Sequence, residues 1–194
     1  MFLPRNSPEA MITQQTEVAL DFLVSGALKS ALPAACAEPG SVSIVADAKE
    51  IAGKKVVLLT MSTYVFRIVT MLYFTLDEPT VRYFGGAEAT ETQRMSDADC
   101  IDSICECANT FCGALNREVA RNFPHIGMST PNVLDRHCVD YLHELDAGYA
   151  KHFKVQVSDS FALYASVCVC DFAHLDFTVD QTRVDEAVGE LELF

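Results

Sequence analysis

The sequence is poor in basic residues and in the residues that interrupt regular structure. Its 14 lysines and arginines stand against 27 aspartates and glutamates, for a formal net charge of −13. Nucleic acid and anionic membrane surfaces are therefore disfavoured as partners, because both repel an acidic protein. With 9 glycines and 7 prolines in 194 residues that are 50% hydrophobic, the composition also excludes a disordered chain. The sequence predicts a folded chain whose partner offers a basic or mixed protein surface.

Long hydrophobic runs are also missing. The longest, residues 56–61 and 161–170, fall well short of the roughly 20 residues that a membrane-spanning helix needs. The N-terminus lacks the basic-then-apolar order of a signal peptide, so we expect a cytoplasmic protein. The 8 cysteines are then expected as reduced thiols buried in the core. The length favours one domain over residues 1–194.

Several catalytic motifs are absent. The five histidines show no HExxH spacing and none lies near a nucleophile motif, while Gly85-Gly86 lacks the further glycines and lysine of a phosphate loop. Cysteines 100, 105, 107 and 112 lie too far around a helix from one another to form a zinc site. We therefore expect no metal site in this chain, and packing explains the cysteines better.

The hydrophobic pattern predicts a mixture of helices and strands. We expect helices at 8–31 and 96–122, the second started by Ser96 and Asp99 and ended by Phe123-Pro124. The further expectations are a strand pair at 41–45 and 55–61, a loop at 76–95, an extended segment at 125–134, a helix or turn at 139–150, strands at 153–157 and 160–171, and an acidic helix at 183–193. The periodicity of residues 64–74 fits either a helix or a strand.

The most informative segment is the predicted helix around residues 102–116. At about 100° per residue, positions 102, 106, 109, 113 and 116 follow one another along one face and are Asp, Glu, Asn, Gly and Asn. Positions 101, 105, 108, 112, 115 and 119 form an apolar row beside it. Since that row can supply the core contacts, the polar row is free to serve a function. A solvated helix face is the simpler alternative, because Glu and Asn are ordinary surface residues.

These residues resemble the motif of the CheC/CheX/FliY phosphatases of bacterial chemotaxis. The motif has an acidic residue or Ser, then Glu, then Asn three residues later, and a Pro about two dozen residues on; here these are Asp102, Glu106, Asn109 and Pro131. Gly113 is similar to the glycine that ends the Asn-x-x-x-Gly run. A second Glu-x-x-Asn helix, as two-site members have, is absent, so the chain is most similar to the single-site CheX type.

The resemblance implies a fold, a reaction and a partner. The fold would be a single α/β (α+β) domain with an antiparallel-rich sheet and two long helices packed on one face. Because the family has a helix between the hairpin and the motif, the resemblance also favours a helix at 64–74. The reaction would be hydrolysis of the phosphoryl-aspartate of a CheY-like receiver domain, by a homodimer without a cofactor of its own. The Mg²⁺ would be held by the receiver. A non-catalytic binding or scaffold module that docks a regulator is the alternative.

Each site residue has an expected role in this scheme. Asn109 would orient the attacking water through its amide oxygen, and Glu106 would pair with the receiver's active-site lysine. Asp102 and Gly113 would contact the partner. Gly113 lowers helix stability by about 1 kcal/mol relative to Ala, which close approach of another backbone would explain. That backbone belongs either to the partner or to the sheet of this chain.

Overall fold

The structure, a computed structural model, describes residues 11–32, 41–85, 95–158 and 161–181. Three α-helices, seven strands and two 3₁₀ helices lie in these ranges. The helices are α1 (Gln14–Ala31), α2 (Glu78–Gly85) and α3 (Asp97–Val119), and the 3₁₀ helices are Ala48–Glu50 and Arg136–Leu145. The strands are β1 (Ser41–Val45), β2 (Lys55–Ser62), β3 (Phe66–Phe74), β4 (Gly127–Met128), β5 (Asn132–Asp135), β6 (Tyr149–Ser158) and β7 (Phe161–Asp171).

All seven strands form one sheet in which every pair of strands is antiparallel. The order is β1-β6-β7-β3-β2-β4, and β5 also pairs with β2. The strands at 41–45 and 55–61 exist as predicted, but they do not pair with each other, since β1 pairs with β6 and β2 with β3. The helix predicted at 64–74 is wrong. This segment is β3, a central strand with eight of its nine residues buried.

The two long helices, α1 and α3, pack on one face of the sheet and against each other. Between them and the sheet lies the main core, whose largest side chains include Phe66, Phe111 and Phe153. The Cys107 thiol donates a hydrogen bond to the Ala31 carbonyl oxygen at 3.3 Å, joining α3 to the last residue of α1. The α/β class, the antiparallel sheet and the two helices on one face are therefore confirmed.

Among the described residues, the 3₁₀ helices cover the opposite face of the sheet. A smaller cluster of buried residues, including Ile51, Met71 and Cys168, packs there against side chains of Arg136–Leu145. The helix or turn expected at 139–150 is this 3₁₀ helix, and its C-terminal part is corrected, because β6 already begins at Tyr149.

The ends of other segments also differ from the expectations. Helix α1 begins at Gln14, where the Thr13 hydroxyl accepts the Thr16 N–H, and not at residue 8. The loop expected at 76–95 contains α2, and its residues 86–94 lie outside the described ranges, as does the acidic helix expected at 183–193. In the described part of the chain, no helix is long and apolar enough to span a membrane.

Candidate functional site on helix α3

Helix α3 begins at the cap that the sequence predicts. The Ser96 hydroxyl accepts the Asp99 N–H at 3.2 Å, and it donates to the Asp99 carboxylate at 2.6 Å. This reciprocal pair satisfies one of the free N–H groups of the first turn. The helix ends at Val119, followed by a turn that leads to Pro124, which cannot continue a helical ladder. The cap and the proline thus fix where the 23 residues of α3 lie.

The buried face of α3 lies opposite the polar row. The buried residues are Cys100, Ile104, Cys107, Ala108, Phe111, Cys112, Ala114, Leu115 and Val119. This face is rotated from the apolar row expected from the sequence, because Ile101 and Cys105 are only partly buried. At about 100° per residue, the row from 102 to 113 points about 170° away from the centre of the buried face. The polar row therefore faces away from the core.

Three side chains of the polar row are available to a partner. Asp102 and Glu106 are exposed, and Asn109 is partly exposed. None of the three makes a side-chain hydrogen bond or ion pair with a residue in the described ranges. Since successive members of such a row have Cβ atoms about 5–6 Å apart, the carboxylate of Glu106 and the amide of Asn109 can act on one bound group.

Gly113 leaves an open place in the row. A Cβ added to Gly113 would have no heavy atom within 4 Å, apart from the adjacent residues and the backbone of its own helix. The sheet of this chain therefore does not require a glycine at this position. The absent side chain exposes helix backbone one turn after Asn109, where another molecule can approach closely.

The last member of the row, Asn116, is less accessible. Its side chain is partly buried, and its Oδ1 is buried without a hydrogen-bond partner in the described structure. An acceptor buried in this way does not face solvent, so Asn116 does not present its carbonyl oxygen to a partner as Asn109 can. The usable part of the row extends from Asp102 to Gly113.

Cys105 lies beside the row and is not a nucleophile candidate. Burial raises the pKa of its thiol above the ordinary value, and the negative charges of Asp102 and Glu106 raise it further. The reactive form of a cysteine is the thiolate, which all three effects disfavour. The chemistry of this face therefore belongs to oxygen and amide groups.

Pro131 lies at the sheet edge, between the two strands that pair with β2. The ladder is interrupted there, and Ser129 bridges the gap: its N–H donates to the Thr60 carbonyl at 2.9 Å and its hydroxyl accepts the Thr60 N–H at 3.0 Å. A proline fits this interruption because it has no N–H to pair. The segment expected to be extended at 125–134 thus contains β4, the interruption and most of β5.

One residue of this face was not singled out by sequence reasoning. Arg117 is exposed and lies one turn after Gly113, and it makes no ion pair within the described ranges. The sequence does contain a signal, because residues 113, 114, 120 and 121 include no acidic partner at helical spacing. No group of three or more potential metal ligands occurs among the described residues.

Comparisons with solved structures identify the fold. The chain is similar to a CheC-like superfamily protein from Shewanella sp. PV-4, with a TM-score of 0.58 and 13% identity over 78% of this chain and 97% of that one. It is similar to the chemotaxis protein CheX from Vibrio vulnificus, with a TM-score of 0.53 and 15% identity over 77% and 99%. It is also similar to a protein of the CheX–CheY–BeF3–Mg²⁺ complex from Borrelia burgdorferi, with a TM-score of 0.58 and 8% identity over 79% and 98%.

These likenesses show that the chain has the fold of CheC-like and CheX proteins. No protein-family model matches the sequence, and no curated protein is a significant match.

Proposed function

We propose that this protein is a phosphatase that hydrolyses the phosphoryl-aspartate of a CheY-like receiver domain and so ends a chemotaxis or other two-component signal. The observation that carries the proposal is the arrangement of the polar row. Glu106 and Asn109 face away from the core, have no side-chain partner among the described residues, and lie next to the open backbone at Gly113. Such groups contribute little to folding, which supports a role in binding another molecule.

The similarity to a CheX structure in complex with CheY supports the choice of partner. In the proposed complex, Glu106 binds a cationic side chain of the receiver and sets the position of α3 over the phosphorylated aspartate. Asp102, one turn earlier, contributes a second carboxylate to the same contact. The acidic net charge of −13 favours a receiver surface that is basic around its phosphorylation site.

Asn109 is the residue that we propose for catalysis. Its amide oxygen accepts a hydrogen bond from a water molecule and aims that water in line with the phosphorus. The water oxygen forms the new bond to phosphorus as the bond to the aspartyl oxygen breaks, giving inorganic phosphate and a free carboxylate, and the water proton passes to solvent. Because an acyl phosphate is already reactive, positioning the water is the main task left to this chain.

The divalent ion of the reaction is proposed to belong to the receiver. The described residues contain no metal-ligand group, and Mg²⁺ prefers carboxylate ligands together with phosphate oxygens, which a phosphorylated receiver supplies itself. The ion would neutralise phosphoryl charge during the transfer. The side chains of α3 then act only on the water and on the receiver surface.

The proposal is tested by the loss of phosphate from receivers. Purified receivers of the same genome are phosphorylated with acetyl phosphate, and phosphate loss is measured with wild type, Asn109→Ala and the control Asn122→Ala, which changes an exposed asparagine beyond the end of α3. We expect wild type and the control to accelerate the loss and Asn109→Ala to lower kcat by about 10²-fold, the usual scale for a lost positioning contact.

Two results would contradict the proposal. If no receiver loses phosphate faster with wild type, the protein is not a phosphatase for this panel. If receivers bind in a Glu106-dependent manner but phosphate loss does not depend on Asn109, the protein is a non-catalytic docking module. Binding is measured in parallel with Glu106→Gln so that these two results are distinguished.

A further inference from the structure

The charges on the exposed side of α3 change sign along the helix. On this side, its first half has three exposed carboxylates, at Asp99, Asp102 and Glu106. Residues 107–116 include no charged side chain, and the next charge is the exposed cation Arg117. The face is therefore acidic, then uncharged around Asn109 and Gly113, then basic.

Arg117 lies next to the open part of this face at helical spacing. It follows Gly113 by four residues, about 6 Å along the axis and on the same side, and it follows Asn109 by about 12 Å. Side chains on a helix lean toward its N-terminus, so the arginine side chain leans toward the unoccupied space at Gly113. A molecule that contacts the backbone at Gly113 would also contact the guanidinium group.

Arg117 differs from the exposed arginines Arg82 and Arg121 in having no acidic residue three or four positions away. Arg121 binds Glu118 at 3.1 Å and Arg82 binds Glu78 at 2.7 Å, both within one helical turn. Arg117 has alanine or glycine at three of the four corresponding positions and the like charge Arg121 at the fourth. Such an arrangement does not stabilise the helix through side-chain pairs, although a cation in the last turn does favour the helix dipole.

We propose that Arg117 is a specificity-determining residue that binds a carboxylate on the surface of the receiver. The phosphorylation site lies between this carboxylate and the cationic group that Glu106 binds. The inference rests on the proposed function. Guanidinium binds carboxylate through two parallel hydrogen bonds, which fixes direction as well as position. Receivers with a basic group near Glu106 and an acidic group near Arg117 are accepted, and the reversed orientation brings like charges together.

The test separates binding from chemistry. Steady-state hydrolysis of the phosphorylated receiver is measured for wild type, Arg117→Glu and Arg117→Gln, with Arg82→Glu as a control of equal charge change on α2, outside the polar row. We expect Arg117→Glu to raise KM by about tenfold or more while kcat stays within about twofold, and Arg117→Gln to have a smaller effect in the same direction. The difference from wild type decreases with added salt.

The outcomes distinguish this inference from the proposed function. The inference is overturned if wild type is active and Arg117→Glu leaves KM unchanged, or if Arg82→Glu raises KM equally, since a general charge effect then explains the result. If wild type hydrolyses no receiver, the phosphatase proposal fails, and binding of beryllofluoride-activated receivers decides the inference. Binding that Arg117→Glu weakens by about tenfold supports it, and equal binding or none rejects it.

Discussion

A chain of hydrogen bonds in the interior couples the protonation of His152 to folding. The hydroxyl of Tyr73 donates to Ser166 Oγ at 2.9 Å, and Ser166 Oγ is 2.6 Å from His152 Nδ1. Ser166 is fully buried and His152 is partly buried. With a neutral ring, Ser166 donates to Nδ1 and each group of the chain is satisfied. A protonated ring would make Nδ1 a donor, and the Ser166 hydroxyl proton would lose its acceptor.

This arrangement predicts a pH dependence of stability. Burial lowers the pKa of His152 below the ordinary 6.5, an effect that nearby Asp47 partly opposes. The unfolded chain therefore binds a proton more readily than the folded one, so the free energy of unfolding falls as the pH decreases from 6.5 toward the lower pKa of the folded state. Above this range the contribution is constant.

Urea unfolding at several pH values between about 5 and 7 measures the effect. We expect His152→Gln to flatten the pH dependence relative to wild type, while His143→Gln, a change of an exposed histidine, leaves it in place. Equal slopes for wild type and His152→Gln would reject this role of His152.

The sequence predicts the residues of the candidate site better than it predicts the hydrogen bonds of His152. Glu106, Asn109 and Gly113 are close in sequence, so helical spacing alone predicts their common face. Tyr73, Ser166 and His152 come from three strands, and their contact depends on strand order, which the residue pattern does not contain.

At the scale of the helix, two glycines provide a matched pair. Gly113 in α3 and Gly26 in α1 both have no heavy atom within 4 Å of an added Cβ under the same criterion. Alanine at either position should raise the free energy of unfolding by about 0.5–1 kcal/mol, because glycine is the poorer helix former. Only Gly113→Ala should also raise KM for the phosphorylated receiver, since a methyl group there obstructs close approach.

Denaturation curves and hydrolysis kinetics of the two variants check this expectation. We expect a higher free energy of unfolding for both variants and a higher KM for Gly113→Ala alone. This result would mean that Gly113 lowers helix stability but allows the receiver to approach closely. Identical KM values for the two variants would show that Gly113 does not contact the receiver.

The elements differed in how well the sequence predicted them. The start of α3 was predictable because Ser96 and Asp99 act locally. The error at β3 has a physical reason: this strand is buried on both faces, so the run from Phe66 to Phe74 lacks the alternation that distinguishes a strand from a helix. The sequence predicts strands β1 and β2 correctly but pairs them wrongly. These two strands are consecutive in the sequence, but three other strands separate them in the sheet.

At the scale of the whole molecule, the expected homodimer stays a prediction, and the edge of the sheet at β1 is our proposed interface. Among the described strands, β1 pairs with β6 alone, and Ile44 in this strand is 54% exposed. Helix α1, which contacts β1, has Val18 and Phe22 exposed as well. Two copies could pair their β1 strands and cover these apolar groups.

Light scattering after size-exclusion chromatography measures the assembly. We expect wild type at twice the 21.3 kDa of one chain, Ile44→Lys at the single-chain mass, and Leu134→Lys, on the opposite edge, still dimeric. A single-chain mass for wild type at micromolar concentration would contradict the prediction.

The interruption between β4 and β5 has a consequence for growth of such an assembly. A sheet with two continuous free edges can add further copies at both ends, as a polymer does with a bifunctional monomer. Here one edge is divided at Pro131, which has no N–H, and Ser129 already occupies the hydrogen-bonding positions of Thr60. An interrupted edge is a poorer template for another strand, so we expect pairing through β1 to end at two copies rather than continue into a fibre.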